Sequence, residues 1–178
     1  MRNPVLRGRT RALLAAVTAL VVAGGIAGRS YLQWLSIPYE PLPATGAPGP
    51  AVCPPTWPGN QVTRSVRGPL VADDPRLALL CHYQTILGEP WPLAATSTAT
   101  ANAPKAARYL NDLPEEDSTV CPLWQPAVEY AVVFEYADRQ PMTVTLGCMM
   151  SRGNVTRVET DSQEIADFWN VTYNQLPR

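Results

Sequence analysis

The chain states one construction twice. After an apolar N-terminal segment, Cys53-Pro54 and Trp57-Pro58 open a stretch that reaches Cys81 and closes on Asn111-Asp112-Leu113-Pro114. Cys121-Pro122, Trp124 and Pro126 open a second stretch that reaches Cys148 and closes on Asn174-Gln175-Leu176-Pro177. The cysteine separations are 28 and 27 residues, so the economical reading is a duplicated unit, copies 53–114 and 121–177, each with its own cysteine pair. A duplication says how a domain is built and crosslinked; it contains no chemistry.

Charge divides the chain. Arg2, Arg7, Arg9, Arg11 and Arg29 against Glu40 give residues 1–52 a charge of +4, while nine cationic and fourteen acidic residues give 53–178 a charge of −5. A basic head on an acidic body is the pattern of a protein with its ends on opposite sides of a membrane. The body lacks a basic stripe to displace counterions from phosphates, so nucleic acid is not an expected partner. Residues 12–28 are uncharged and follow four arginines. As a helix they would cover about 26 Å, a little short of the roughly 30 Å hydrocarbon core. Tyr31, Leu32, Trp34 and Leu35 would suit the far interface. Alternatively, Gly25-Ile26-Ala27 offers a signal-peptidase site. The expectation is a signal-anchor or signal peptide at 1–28, giving a single-pass cell-membrane protein with its C-terminal domain outside, or a secreted one.

Outside the cytoplasm, an even cysteine count points to disulfides, and no Cys-x-x-Cys pair or His cluster offers zinc spacing. Four cysteines allow three connectivities; the duplication favours Cys53 with Cys81 and Cys121 with Cys148.

Residues 29–52 read as a Pro/Gly-rich tether. Seven of the thirteen positions 38–50 are Pro or Gly, which suits an extended spacer of about 40 Å. Inside it, Leu42-Pro43-Ala44-Thr45-Gly46 matches the sortase pentapeptide of Gram-positive surface proteins, but in reversed order relative to the apolar segment, so the sorting function is not carried over.

Residues 53–178 read as one extracytoplasmic domain. Val128, Tyr130, Val132, Phe134 and Tyr136 alternate with Glu129, Ala131, Val133 and Glu135 as a strand does, and Met142, Val144, Leu146 and Cys148 return antiparallel after a turn. Residues 155–158 offer a third strand. Ile165, Phe168, Trp169, Thr172, Tyr173 and Leu176 follow at helical spacing. In the first copy, Leu77, Leu79, Cys81 and Tyr83 alternate, and Asn102 with Pro104 starts a helix whose core face holds Ala106, Tyr109, Leu110 and Leu113. Residues 86–100 give no clear period. The expected fold class is α+β: two duplicated strand-rich units, each followed by a helix, disulfide-crosslinked, behind an N-terminal apolar helix.

Chemistry is sparse. His82, the single histidine, adjoins Cys81 and has no carboxylate nearby in sequence, so it reads as an ordinary strand side chain facing solvent or the helix layer. There is no Gly-x-Ser-x-Gly elbow and no Ser-x-x-Lys. Asp73-Asp74 reads as a turn, and Glu129 and Glu135 share a strand face at a spacing too wide to pair. Trp57 and Trp124 hold equivalent places, as disulfide packing or as a matched aromatic surface. No catalytic residue, metal site or cofactor is assigned.

The basic-then-apolar start, the Cys-Pro openings, the hairpin ending in Phe134, Tyr136 and Asp138, and Gly147-Cys148 resemble small exported or membrane-anchored actinobacterial proteins with paired Cys-Pro…Cys units and no assigned activity. The resemblance implies location and names no catalytic residue. The functional expectation is a membrane-tethered extracytoplasmic binding or adaptor domain whose partners are the membrane, through the N-terminal helix, and an envelope protein or ligand. The alternatives are a cell-envelope hydrolase using carboxylates and a structural subunit of a membrane complex.

Overall fold

The structure, a computed structural model, describes residues 37–43, 46–59, 62–63, 65–86, 90–115, 128–147, 149–158 and 162–173. Its frame is a six-stranded antiparallel sheet: β1 (Leu77–Gln84), β2 (Leu93–Ala99), β3 (Val128–Glu135), β4 (Met142–Leu146), β5 (Met149–Arg152) and β6 (Val155–Val158), in spatial order β2-β1-β3-β4-β5-β6. Two short helices, α1 (Ala103–Asp112) and α2 (Ser162–Asp167), accompany it. This corrects the α+β expectation. The molecule is mostly antiparallel sheet with only two short helices, and the one sheet holds strands from both cysteine units. The second helix is short because Asn170 turns the chain with a positive φ of 56° and Val171 N–H bonds back to the Ala166 carbonyl. Tyr173 still packs on the core, but from beyond the helix. The apolar run at 12–28 lies outside the described residues, and among those described no helix is long and apolar enough to cross a membrane.

The alternation in β3 sorts its side chains as the period predicts. Val128, Tyr130, Val132, Phe134 and Tyr136 join Leu80, Val144, Leu146, Ala106, Leu110, Ile165 and Trp169 in the main core, on the face covered by the helices. The opposite face is covered as well. Ala131 and Val133 pack with Cys53, Cys81 and Tyr83, and Trp57, Trp91 and Leu93 lie against them. A strand buried on both sides has no solvent face, which is why Glu129 is 8% exposed on a position expected to be wet.

The segment expected to be a spacer packs on the body, and its Ala51 reaches this second face. From Tyr39 onward the chain belongs to the body. Tyr39 bridges to Arg67, Glu40 N–H donates to the Arg67 carbonyl at 2.7 Å, and the Glu40 carboxylate holds Arg152 at 3.0 Å. Leu42 packs on the core, and Ala51 N–H donates to the Glu135 carboxylate at 2.6 Å. Prolines remove donors from such a segment, yet the N–H groups of Glu40, Ala51 and Trp57 find acceptors on the body, so 39–43 and 46–57 act as a strap across the sheet. Gly68 lets the strap approach, since a side chain there would strike the Glu40 carbonyl. Both sheet ends are affected. Val66 bridges to Val155 and Pro114 O accepts from Val158 N–H, which caps β6, while Trp57 N–H to Trp91 O and Leu93 N–H to Pro55 O cap the start of β2.

Asn111 at the end of α1 ties the helix to this framework. Its Oδ1 accepts from Leu70 N–H at 2.8 Å and Val71 N–H at 3.2 Å, and its Nδ2 donates to the Val71 carbonyl at 3.0 Å. Asn111→Ala strands backbone groups of the fully buried Leu70 and Val71 and is expected to cost about 2 kcal/mol by denaturant unfolding, with Asn111→Asp, which keeps the acceptor, costing less.

Candidate functional site

Three buried titratable groups, His82, Tyr83 and Glu129, lie at one end of the β1–β3 ladder, while Tyr136 and Arg157 are buried elsewhere. His82 lies opposite Tyr130 and Tyr83 opposite Glu129, on consecutive rungs. Strand alternation sends the two rungs to opposite faces, so the sheet stands between His82 and Glu129 and they form no acid–base pair.

On the helix-covered face, His82 is fully buried, edge-on to Tyr130 at 5.1 Å, with Nε2 3.1 Å from Ser97 Oγ. Burial lowers its pKa to about 4, so the ring is neutral at physiological pH. A serine within reach of a neutral histidine is the start of a nucleophile–base pair. The other nitrogen, Nδ1, is buried without a hydrogen-bond partner. A bare lone pair is cheaper to bury than an unpaired N–H, so the favoured tautomer carries its proton on Nε2 and donates to Ser97. In that state Ser97 is an acceptor and is not activated. Of the two placements expected for His82, solvent or the helix layer, the ring takes the second.

On the disulfide face, Cys53 is bonded to Cys81 with Cα atoms 5.7 Å apart. The Tyr83 hydroxyl donates to the Pro54 carbonyl at 3.1 Å, and burial pushes its pKa up to about 12. Trp57 Nε1–H donates to the Tyr130 carbonyl at 3.4 Å, and Trp91 Nε1–H to the Ile86 carbonyl at 3.2 Å. With both indole N–H groups taken by backbone carbonyls, the two half-buried rings lie 4.6 Å apart as an apolar ledge beside Ile86, which is 41% exposed. Beneath it, burial raises Glu129 to about 7, and its Oε2 has no hydrogen-bond partner. Glu135 lies on the same face six residues away, about 20 Å along the strand, and its carboxylate is taken by Arg76 and Ala51. The two glutamates therefore do not act on one bond. Asp73 and Asp74 are exposed in a turn, with Asp74 at φ 58°.

Of the sequence-expected disulfide residues, Cys53 and Cys81 are joined, and Cys121, Cys148 and Trp124 lie outside the described residues. Sequence reasoning missed the Trp57–Trp91 ledge and the burial of Glu129. The available signal was Ala131 and Val133 flanking Glu129 on the same strand face, apolar where a wet face would be polar. Comparison of the chain with protein-family models, with curated proteins and with solved structures found no match.

Proposed function

We propose that the chain is a membrane-tethered extracytoplasmic binding or adaptor module, with the basic and apolar N-terminus as its membrane partner and the Trp57–Trp91 ledge meeting an envelope protein or ligand. The observation that carries this reading is the Cys53–Cys81 bond, which pins the segment arriving from the N-terminal side to a central strand and is of a kind that oxidising compartments favour. The ledge supports the binding half, since it offers half-buried apolar area whose indole N–H groups are already taken by backbone carbonyls of the chain. Lys105 is the chain's single lysine and is exposed on α1. A membrane-impermeant amine-reactive biotin added to intact cells should label the chain and should not label Lys105→Arg. A photoreactive residue in place of Ile86 should give one discrete adduct. Labelling of Lys105 only after lysis contradicts the location, and labelling without any adduct contradicts the binding role.

A further inference from the structure

The two sheet edges are finished differently. At β6 the chain lays down further bridges through Val66 and Pro114. At β2 the cap stops early. Pro54 and Pro55 have no N–H, so the strap pairs with β2 only through Leu93, and Cys53 turns over the disulfide face to reach Cys81. From position 94 to 99 the outer edge of β2 has no ladder partner among the described residues. Ala94, Thr96 and Thr98 are exposed along it. An open edge is normally blunted with charge or proline. Here residues 91–103 hold no charge, and no proline lies between Pro92 and Pro104.

We infer that two copies of this chain pair antiparallel through the free edge of β2, continuing the sheet across a two-fold axis. Ser97 lies near the middle of the free stretch 94–99. With the axis there, Ser97 meets Ser97, Thr96 meets Thr98 and Ala95 meets Ala99. Every pair is small and uncharged, and Thr–Thr pairs across strands are favourable. A copy brings its own charge to an interface, and the body carries −5 overall. A neutral run of this length is therefore where a second copy meets least repulsion, whereas a basic partner would be drawn to the acidic surface elsewhere. The strap also sets the register, because sliding either strand further drives its end into the partner's residues 55–57. The pairing does not depend on where in the cell the chain resides.

Sedimentation of the full chain in a mild detergent should give the mass of two chains. Thr96→Lys/Thr98→Lys places like charges opposite one another and should weaken association at least about tenfold, while at dilutions where both chains are single the thermal unfolding midpoint is unchanged because both positions are exposed. Register is read by mixing Thr96→Cys chains with Thr98→Cys chains, where oxidation should crosslink the mixture and neither variant alone. A chain that sediments singly at about 100 μM overturns the inference. So does a dimer indifferent to the two lysines, or an edge that crosslinks to a different protein while the chain stays single.

Discussion

The Cys53→Ala/Cys81→Ala chain should be less stable than the oxidised wild type by about 3 to 4 kcal/mol in denaturant unfolding, the largest loss expected of any change on the surface strap. The bond closes a loop with a sequence separation of 28 residues, and in the chain-entropy account a loop of that size restricts the unfolded ensemble by about that amount. The site gives the estimate a structural side as well. Cys81 is fully buried and Cys53 is 8% exposed, in a cluster with Tyr83, Ala131 and Val133. Losing the bond frees the segment that accepts from the Tyr83 hydroxyl at Pro54 and seats Trp57 on Trp91. The double variant is the cleaner comparison than a reducing agent, because it leaves Cys121 and Cys148 untouched. A loss under about 1 kcal/mol would mean that the strap is held by its hydrogen bonds and packing alone.

The second large effect concerns pH, and it is hidden in the wild type. His82 titrates near 4 when folded against 6.5 ordinarily. It is neutral in both states above pH 6.5, and as pH falls toward 4 the unfolded chain takes the proton first, so stability is lost in that direction. Glu129 titrates near 7 against 4.5. It is protonated in both states below pH 4.5, and as pH rises toward 7 the unfolded chain loses its proton first, so stability is lost in that direction too. Each shift corresponds to about 3 kcal/mol, and over pH 4.5 to 6.5 the two slopes oppose and nearly cancel. Glu129→Gln should therefore gain on the wild type progressively from pH 4.5 to 7, reaching about 3 kcal/mol. His82→Gln should gain progressively as pH falls from 6.5 to 4, by a similar amount. Taking each variant minus wild type at each pH removes the carboxylates common to both. Two difference curves that stay flat would mean that neither group is held in its neutral form by burial.

How much of this the sequence disclosed depends on where each residue's partner lies. Period-2 patterning in β3 and β4 and the contact face of α1 are local, and the alternate residues from Val128 to Tyr136 and from Met142 to Leu146, with Ala106 and Leu110, do reach the main core, while Cys81 and Tyr83 of β1 reach the smaller cluster on the opposite face. The pairing of Cys53 with Cys81 followed from spacing. β2 went unread because its inward residues, Ala95, Ser97 and Ala99, are too small to stand out from Thr96 and Thr98 opposite. β5 is four residues long and follows β4 almost at once. The helical stripe ending at Leu176 was taken for one long helix because periodicity does not see a turn such as the one at Asn170.

The strap was the larger miss. Proline and glycine content says that a segment cannot supply a regular ladder, and it says nothing about scattered donors meeting distant acceptors. Glu40 meets Arg152 across 112 positions of sequence and Ala51 meets Glu135 across 84. Burial of Glu129 has a separate source, since the cover over its strand face comes from Cys53, Trp57 and Trp91, which lie beyond the tether.

The account rests on the strap being stapled to β1, and a non-reducing digest of full-length chain alkylated in intact cells, read by mass, tests that most directly. The predicted result is one peptide pair joining Cys53 to Cys81 with neither thiol alkylated. Alkylated Cys53, or Cys53 joined to Cys121 or Cys148, would contradict it.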